Sequence, residues 1–169
     1  MKKVFVVLFT VFIYNFSLAQ QSDEIRKSWD WLIGDWSGVG SGQPGEASGG
    51  FSFKMDLDNK IIVRTNITEI SPQEGREAFA HKDLLVVYSS PGNSYDRAIY
   101  FDNEDHVINY TLNYQDRVIT FTSDKIQNMP VFRLKYSQID SDHINVLFEI
   151  SMDGENFRKY LEGRSIKKK

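Results

Sequence analysis

Histidine, tyrosine and arginine are the residues in this 169-residue chain whose placement could do chemistry. Histidine occurs only three times, at His81, His106 and His143. His106 follows Asp105 and His143 follows Asp142, in acid-rich stretches that read as solvated turns. No H-x-H or H-x3-H spacing exists, and a zinc centre needs three or four converging ligands, so no metal is expected. His81 differs, because it ends a long polar segment and enters an apolar run. Its ordinary pKa, near ~6.5, would suit proton transfer at the mouth of a pocket. Tyrosine and arginine carry the stronger signal. Alternation puts Ile108, Tyr110, Leu112 and Tyr114 on one face, and Phe132, Leu134 and Tyr136 on another. Ile144, Val146, Phe148 and Ile150 form a third such row. The same parity groups Tyr95, Arg97, Ile99 and Phe101, which takes a guanidinium inside. Tyr88 lies in a run that is apolar on both faces, so its direction stays open. Rings that stack, with phenol and guanidinium tips, suit a small ligand with apolar faces and polar edges, such as a sugar ring or an aromatic acid.

Arg97, Tyr88, Tyr114 and Trp36 are therefore expected to bind the ligand, with Arg97 forking onto any carboxylate. If the pocket is catalytic, Tyr110, Tyr136 and His81 are the candidate proton carriers, in a metal-free elimination or dehydration of an acidic sugar. No cofactor is expected. No two inward acids stand opposite each other as glycoside hydrolysis requires. No nucleophile-elbow motif supports serine catalysis. The chain has no cysteine, which excludes disulfides, thiolate nucleophiles and Cys-ligated metals.

The elements that must position these side chains are strands. From Trp36 onward, short runs with a period of two recur between turn residues, the pattern of an all-β sandwich or barrel. They are Trp36–Gly42, Gly50–Leu57, Lys60–Ile70, Asp83–Ser89, Tyr95–Phe101, His106–Tyr114, Arg117–Ser123, Pro130–Gln138, His143–Ser151 and Phe157–Ser165. Tight connections such as Asp153-Gly154 mark hairpins, and ten strands in a meander close into a barrel that leaves no free edge. Two longer loops, Ser41–Gly49 and Ser71–Lys82, are expected to border a mouth. One short helix is expected before the first strand, capped by Ser22, with Ile25, Trp29 and Leu32 on its buried face and Gly34 ending it. It would plug the body through Trp29 and Trp31.

Residues 1–19 read as a secretory signal peptide. Lys2 and Lys3 precede the apolar run Val4 to Phe16, and Ser17-Leu18-Ala19 supplies the cleavage pattern. A run of that length falls short of the roughly 20 residues that span a bilayer. The mature chain, 20–169, is then one exported domain, periplasmic or secreted, with no membrane insertion after cleavage. The whole chain carries a formal charge of −3, and loss of Lys2 and Lys3 makes the mature part more acidic, which argues against nucleic acid as a partner. A small molecule or saccharide is the expected partner, bound by a monomer or dimer.

The segment Trp31-Leu32-Ile33-Gly34-Asp35-Trp36-Ser37-Gly38-Val39-Gly40 resembles the opening of lipocalin-like (calycin) barrels. In that family a helical turn leads into Gly-x-Trp, and the Trp closes the barrel floor. Ser151-Met152-Asp153-Gly154-Glu155-Asn156-Phe157 resembles the late hairpin of small ten-stranded lipocalin-like domains and their haem-binding relatives, the nitrobindins. The resemblance implies an up-and-down antiparallel β-barrel of about ten strands with a short N-terminal helix. It also marks a departure. Nitrobindin-type haem binding needs an axial histidine late in the chain, and no histidine follows His143.

Overall fold

The computed structural model describes residues 27–39, 47–72 and 77–169. The signal-peptide segment, the Ser22 cap and Ile25, and most of the Ser41–Gly49 loop lie outside the described residues. Ten strands form: β1 (Gly34–Gly38), β2 (Ala47–Asp56), β3 (Ile61–Ile70), β4 (Phe79–Tyr88), β5 (Arg97–Asp102), β6 (Val107–Gln115), β7 (Val118–Ser123), β8 (Val131–Gln138), β9 (His143–Ser151) and β10 (Arg158–Lys167). Each pairs antiparallel with its sequence neighbours, and β1 pairs with β10, so the sheet closes into an up-and-down barrel. Closure gives every strand a neighbour on each side without a covering element. Of the expected helix, the described residues hold a single turn, closed by bonds to the Trp29 carbonyl from the amides of Leu32 and Ile33. No helix among the described residues is long and apolar enough to cross a membrane.

The observed strands follow the expected runs, with one informative shift. β4 begins at Phe79 rather than Asp83, because the β3–β4 hairpin keeps its register out to Ile70↔Phe79. The charged residues of that stretch, which read as loop, are the polar outer end of a strand.

One end of the barrel is sealed. Trp29 and Leu32 from the helical turn and Trp36 from β1 are fully or almost fully buried against Phe53, Ile62, Val87, Ile119, Phe121 and Ile144. Trp29 meets Phe53, Tyr114 and Phe121 at ring-centroid distances of 5.7, 6.1 and 6.1 Å, in the tilted and edge-on arrangements that aromatic pairs favour. Its Nε1–H donates to the Tyr114 hydroxyl at 2.9 Å, and that hydroxyl donates to the Tyr95 carbonyl. The Trp36 Nε1–H donates to the Leu32 carbonyl at 2.8 Å, tying the turn to the first strand. Gly50 is required where β2 crosses β1, since a Cβ there would lie 2.3 Å from the Trp36 carbonyl oxygen.

The other end differs. There β9 and β10 keep aromatic and aliphatic groups accessible: Phe132 stacks on Phe148 at 5.9 Å, Phe148 meets Tyr160, and Tyr160 is 72% exposed. Gly163 pairs with Val146, whose side chain packs on the core, and a Cβ at Gly163 would meet nothing within 4 Å. Side chains are fully buried at one end and partly exposed at the other.

Candidate functional site

The polar groups of the interior gather on the β3–β5 wall of the open half. The hairpin register sets Arg64 beside Leu85, Asn66 beside Asp83 and Thr68 beside His81. Leu85 is fully buried, so alternation turns the whole set inward. β5 adds Tyr100 and Asp102 on the same face, since Asp102 pairs with Asp83 and Ala98 is buried. In a closed ring of ten strands, β3, β4 and β5 stand across from β8, β9 and β10. A polar wall therefore faces the stacked rings of Phe132 and Phe148.

Arg64 anchors the polar wall. Its Nη1–H donates to Asp83 at 2.6 Å, and Asn66 donates to the second oxygen of Asp83 at 2.8 Å. The guanidinium lies 5.5 Å from the Phe51 ring centroid and 5.9 Å from that of Tyr136, a cation–π seat on top of the aromatic plug. Its Nε and the Tyr136 hydroxyl are buried without a hydrogen-bond partner. Burial alone would lower the Arg64 pKa, but the electrostatic pull of Tyr136 and Asp83 outweighs it and holds the group above the ordinary arginine value. Arg64 is thus a permanent buried cation, paired as such groups must be.

His81 sits at the rim of this wall. Its Nδ1 is 2.7 Å from Glu104, and its Nε2 is 3.1 Å from the Tyr100 hydroxyl and 3.3 Å from Asp83. Tyr100 donates to Asp102 at 3.1 Å. Asp102 also accepts from the amides of Glu104 and His106 and meets the His106 ring at 2.9 Å. These contacts hold Asp102 below the usual carboxylate range, although its partial burial works the other way.

Tyr100, Tyr110, Tyr114 and Tyr136 are pushed toward the neutral form. Burial takes the Tyr136 hydroxyl up to about 12, against the opposing pull of the Arg64 charge. Burial likewise raises Tyr110, with Arg64 again pulling against it. Tyr100 is raised by burial first, then by the charges of Asp83 and Asp102. Burial raises Tyr114 as well. A phenol held neutral donates a hydrogen bond and does not abstract a proton at neutral pH.

The residues singled out from sequence divide by position. Tyr110 and Tyr136 are buried within the plug, and Tyr114 and Trp36 belong to the sealed end. His81 stands at the mouth. Arg97 is a correction. It pairs with Thr111 on the outer face, and its guanidinium binds Thr111 and Asp124, with Nη2 2.6 Å from the Asp124 carboxylate. Tyr88 pairs with Arg97 on that same outer face. Parity failed because Tyr95 has a φ of 48° and stands outside β5. Its buried ring is therefore no guide to the alternation that follows, and inward direction passes to Ala98 and Tyr100. Sequence reasoning missed Arg64, Asn66, Asp83, Tyr100, Asp102 and Glu104. One signal was available: Arg64, Asn66 and Thr68 share a parity with Ile62 in one strand, as do His81, Asp83 and Leu85 in the next.

A groove of about 440 Å3 also runs outside β1–β3, past Asp35, Ser37, Ser52 and Thr65. None of the polar cluster lines it.

The fold is a closed ten-stranded antiparallel β-barrel, sealed by aromatic side chains at one end, of a kind that can hold a ligand. No protein-family model matches the chain, and no curated protein matches it. Among solved structures, the crystal structure of Rv2717c from M. tuberculosis matches with a TM-score of 0.55 at 12% identity, covering 85% of this chain and 96% of that one. At that identity the likeness shows a shared fold and nothing finer.

Proposed function

We propose that the protein is an exported, lipocalin-like binding barrel that holds a small neutral ligand in its open half. The observation that carries this reading is the pair of opposed walls, polar on β3–β5 and aromatic on β8–β10, above a sealed floor. A saccharide ring has the matching chemistry: an apolar face for Phe132 and Phe148, and hydroxyls for Asn66, Thr68, His81 and Glu104. An acidic sugar fits less well. Arg97 faces away from the interior, and Arg64, already engaged by Asp83, is outnumbered by Asp83, Asp102 and Glu104. A lyase reading has less support, because Tyr100, Tyr110 and Tyr136 are pushed toward the neutral form and the interior guanidinium of Arg64 is already engaged by Asp83.

A thermal-shift screen pairing neutral oligosaccharides with the matching uronic acids tests this. Neutral sugars are expected to raise the melting temperature in a dose-dependent way. His81→Ala and Phe148→Ala are expected to weaken that effect by about tenfold, since each deletes one wall's contact. A response to uronic acids alone, or to no sugar at all, would refute the reading.

A further inference from the structure

The ring closes unevenly. β1 meets β10 only from Trp36↔Lys167 to Gly38↔Ser165, and one further bond runs from the Val39 amide to the Arg164 carbonyl. Beyond it, β9 pairs with β10 on one side, and no strand among the described residues pairs with Arg158–Gly163 on the other. Every residue from Arg158 to Arg164 is exposed. Gly163 has no side chain, so its exposure is that of the backbone itself. A free edge of this kind offers unpaired N–H and C=O groups to another strand.

The edge has a definite pattern. A bulge interrupts the pairing with β9 between Lys159 and Leu161. Lys159 stands opposite Glu149 and Glu162 opposite Leu147, so both face out, because the alternating Val146 and Phe148 pack on the core. Their charged tips meet on that outer face, 2.8 Å apart. Tyr160 and Leu161 follow Phe148 instead, one by ring contact and the other by pairing. Arg158, opposite Ile150, and Gly163, opposite Val146, take the inner face.

A bulge and an edge lysine deter a strand of arbitrary sequence. They admit a strand with the same bulge and with a glutamate in the matching place, and the chain's own β10 is such a strand. Two copies laid antiparallel about a two-fold axis between Tyr160 and Leu161 set Lys159 opposite Glu162, Tyr160 opposite Leu161 and Arg158 opposite Gly163. Each pair then joins side chains of one face. A slip of one residue sets an outward side chain against an inward one. A Cβ at Gly163 would meet nothing within 4 Å, which leaves room for the long Arg158 side chain of the other copy.

We propose that Arg158–Gly163 is a self-association edge, through which two barrels pair β10 to β10, antiparallel and centred between Tyr160 and Leu161. The contact is short, below the size of a standard interface, so the expected dissociation constant is about 100 µM.

Sedimentation equilibrium from about 10 µM to about 1 mM tests this, and the wild type is expected to pass from monomer to dimer over that range. Lys159→Glu and Glu162→Lys each set like charges across the axis and should weaken association by at least about tenfold. Mixed in equal amounts, the two variants should recover the wild-type affinity, because every charge then meets its opposite in the other copy. An ion pair confined to one strand cannot be rescued by mixing, so recovery reports contact between copies. Both side chains are exposed, and each variant should melt with the wild type. A wild type that stays monomeric at the highest concentration would overturn the proposal and leave the edge to a strand of another protein. Association that survives both substitutions, or that mixing fails to recover, would overturn it too. No sugar takes part, so none of these results depends on the ligand reading above.

Discussion

At the sealed end Trp29, Phe53 and Phe121 are fully buried, whereas at the open end Tyr160 and Leu161 keep 72% and 52% of their surface in water. The same ten strands run through both ends, so the difference comes from side chains and from what covers them. The helical turn brings Trp29 and Leu32 over one end, and both indole N–H groups there are satisfied locally, Trp29 by Tyr114 and Trp36 by the Leu32 carbonyl. The open end carries a buried cation, three carboxylates and an imidazole, which are costly in an apolar interior unless paired or wet. Aromatic packing is concentrated at the floor, and charged and polar groups at the other end.

The largest effect should come from opening the floor. Trp29→Ala removes a fully buried indole with three ring contacts and should cost about 3–5 kcal/mol in urea unfolding. Tyr160→Ala, at the open end, should stay within about 0.5 kcal/mol. Equal costs would erase the contrast between the ends. Gly50→Ala comes next, at about 1–3 kcal/mol, because its Cβ meets the Trp36 carbonyl rather than a side chain that can swing away.

Tyr136→Phe separates packing from titration. The hydroxyl has no hydrogen-bond partner, so the substitution should cost under about 1 kcal/mol at pH 7. The folded pKa of Tyr136, about 12, lies above the unfolded value near ~10. The stability this contributes is fully present below the unfolded pKa and is lost as pH rises through the folded one. The wild type should therefore lose more stability than Tyr136→Phe between about pH 10 and 12, read by urea unfolding at each pH. At the acid side the sign reverses. The Arg133 hydrogen bond holds Glu149 below the usual carboxylate range, with Lys135 adding to it. That stability is present above the unfolded pKa near ~4.3 and is lost as pH falls through the folded one, so Glu149→Gln should flatten the acid limb.

The smallest effect belongs to the outer face. Arg97→Ala breaks a half-exposed ion pair with Asp124 and should cost under about 1 kcal/mol, with ligand affinity unchanged. A loss of binding there would restore Arg97 to the interior.

Strand number, order and the sealed end were legible in the sequence. Period-two runs and Asx or glycine turns mark hairpins locally, and Trp29 and Trp36 flank Gly34 in a recognisable opening. The direction of each strand was legible only where one parity is apolar and the other polar, as in Ile108–Tyr114. It failed at Tyr95–Phe101, where Ile99 and Phe101 are apolar yet face out, and where the left-handed Tyr95 separates its own ring from the strand's alternation. The polar wall was hidden for a different reason. Arg64, His81, Asp83 and Asp102 lie on three strands and meet only through cross-strand register, which local spacing does not encode.

The proposed open cup is tested most directly at Gly163, where an added Cβ would meet nothing within 4 Å. Gly163→Trp and the wild type would be titrated with the neutral fluorophore N-phenyl-1-naphthylamine, and their melting temperatures compared. An open interior predicts saturable fluorescence with the wild type, affinity at least about tenfold weaker in Gly163→Trp, and a melting temperature within about 4 °C of the wild type. Undiminished dye binding by a folded Gly163→Trp, or a collapse of its melting temperature for want of room, would contradict it.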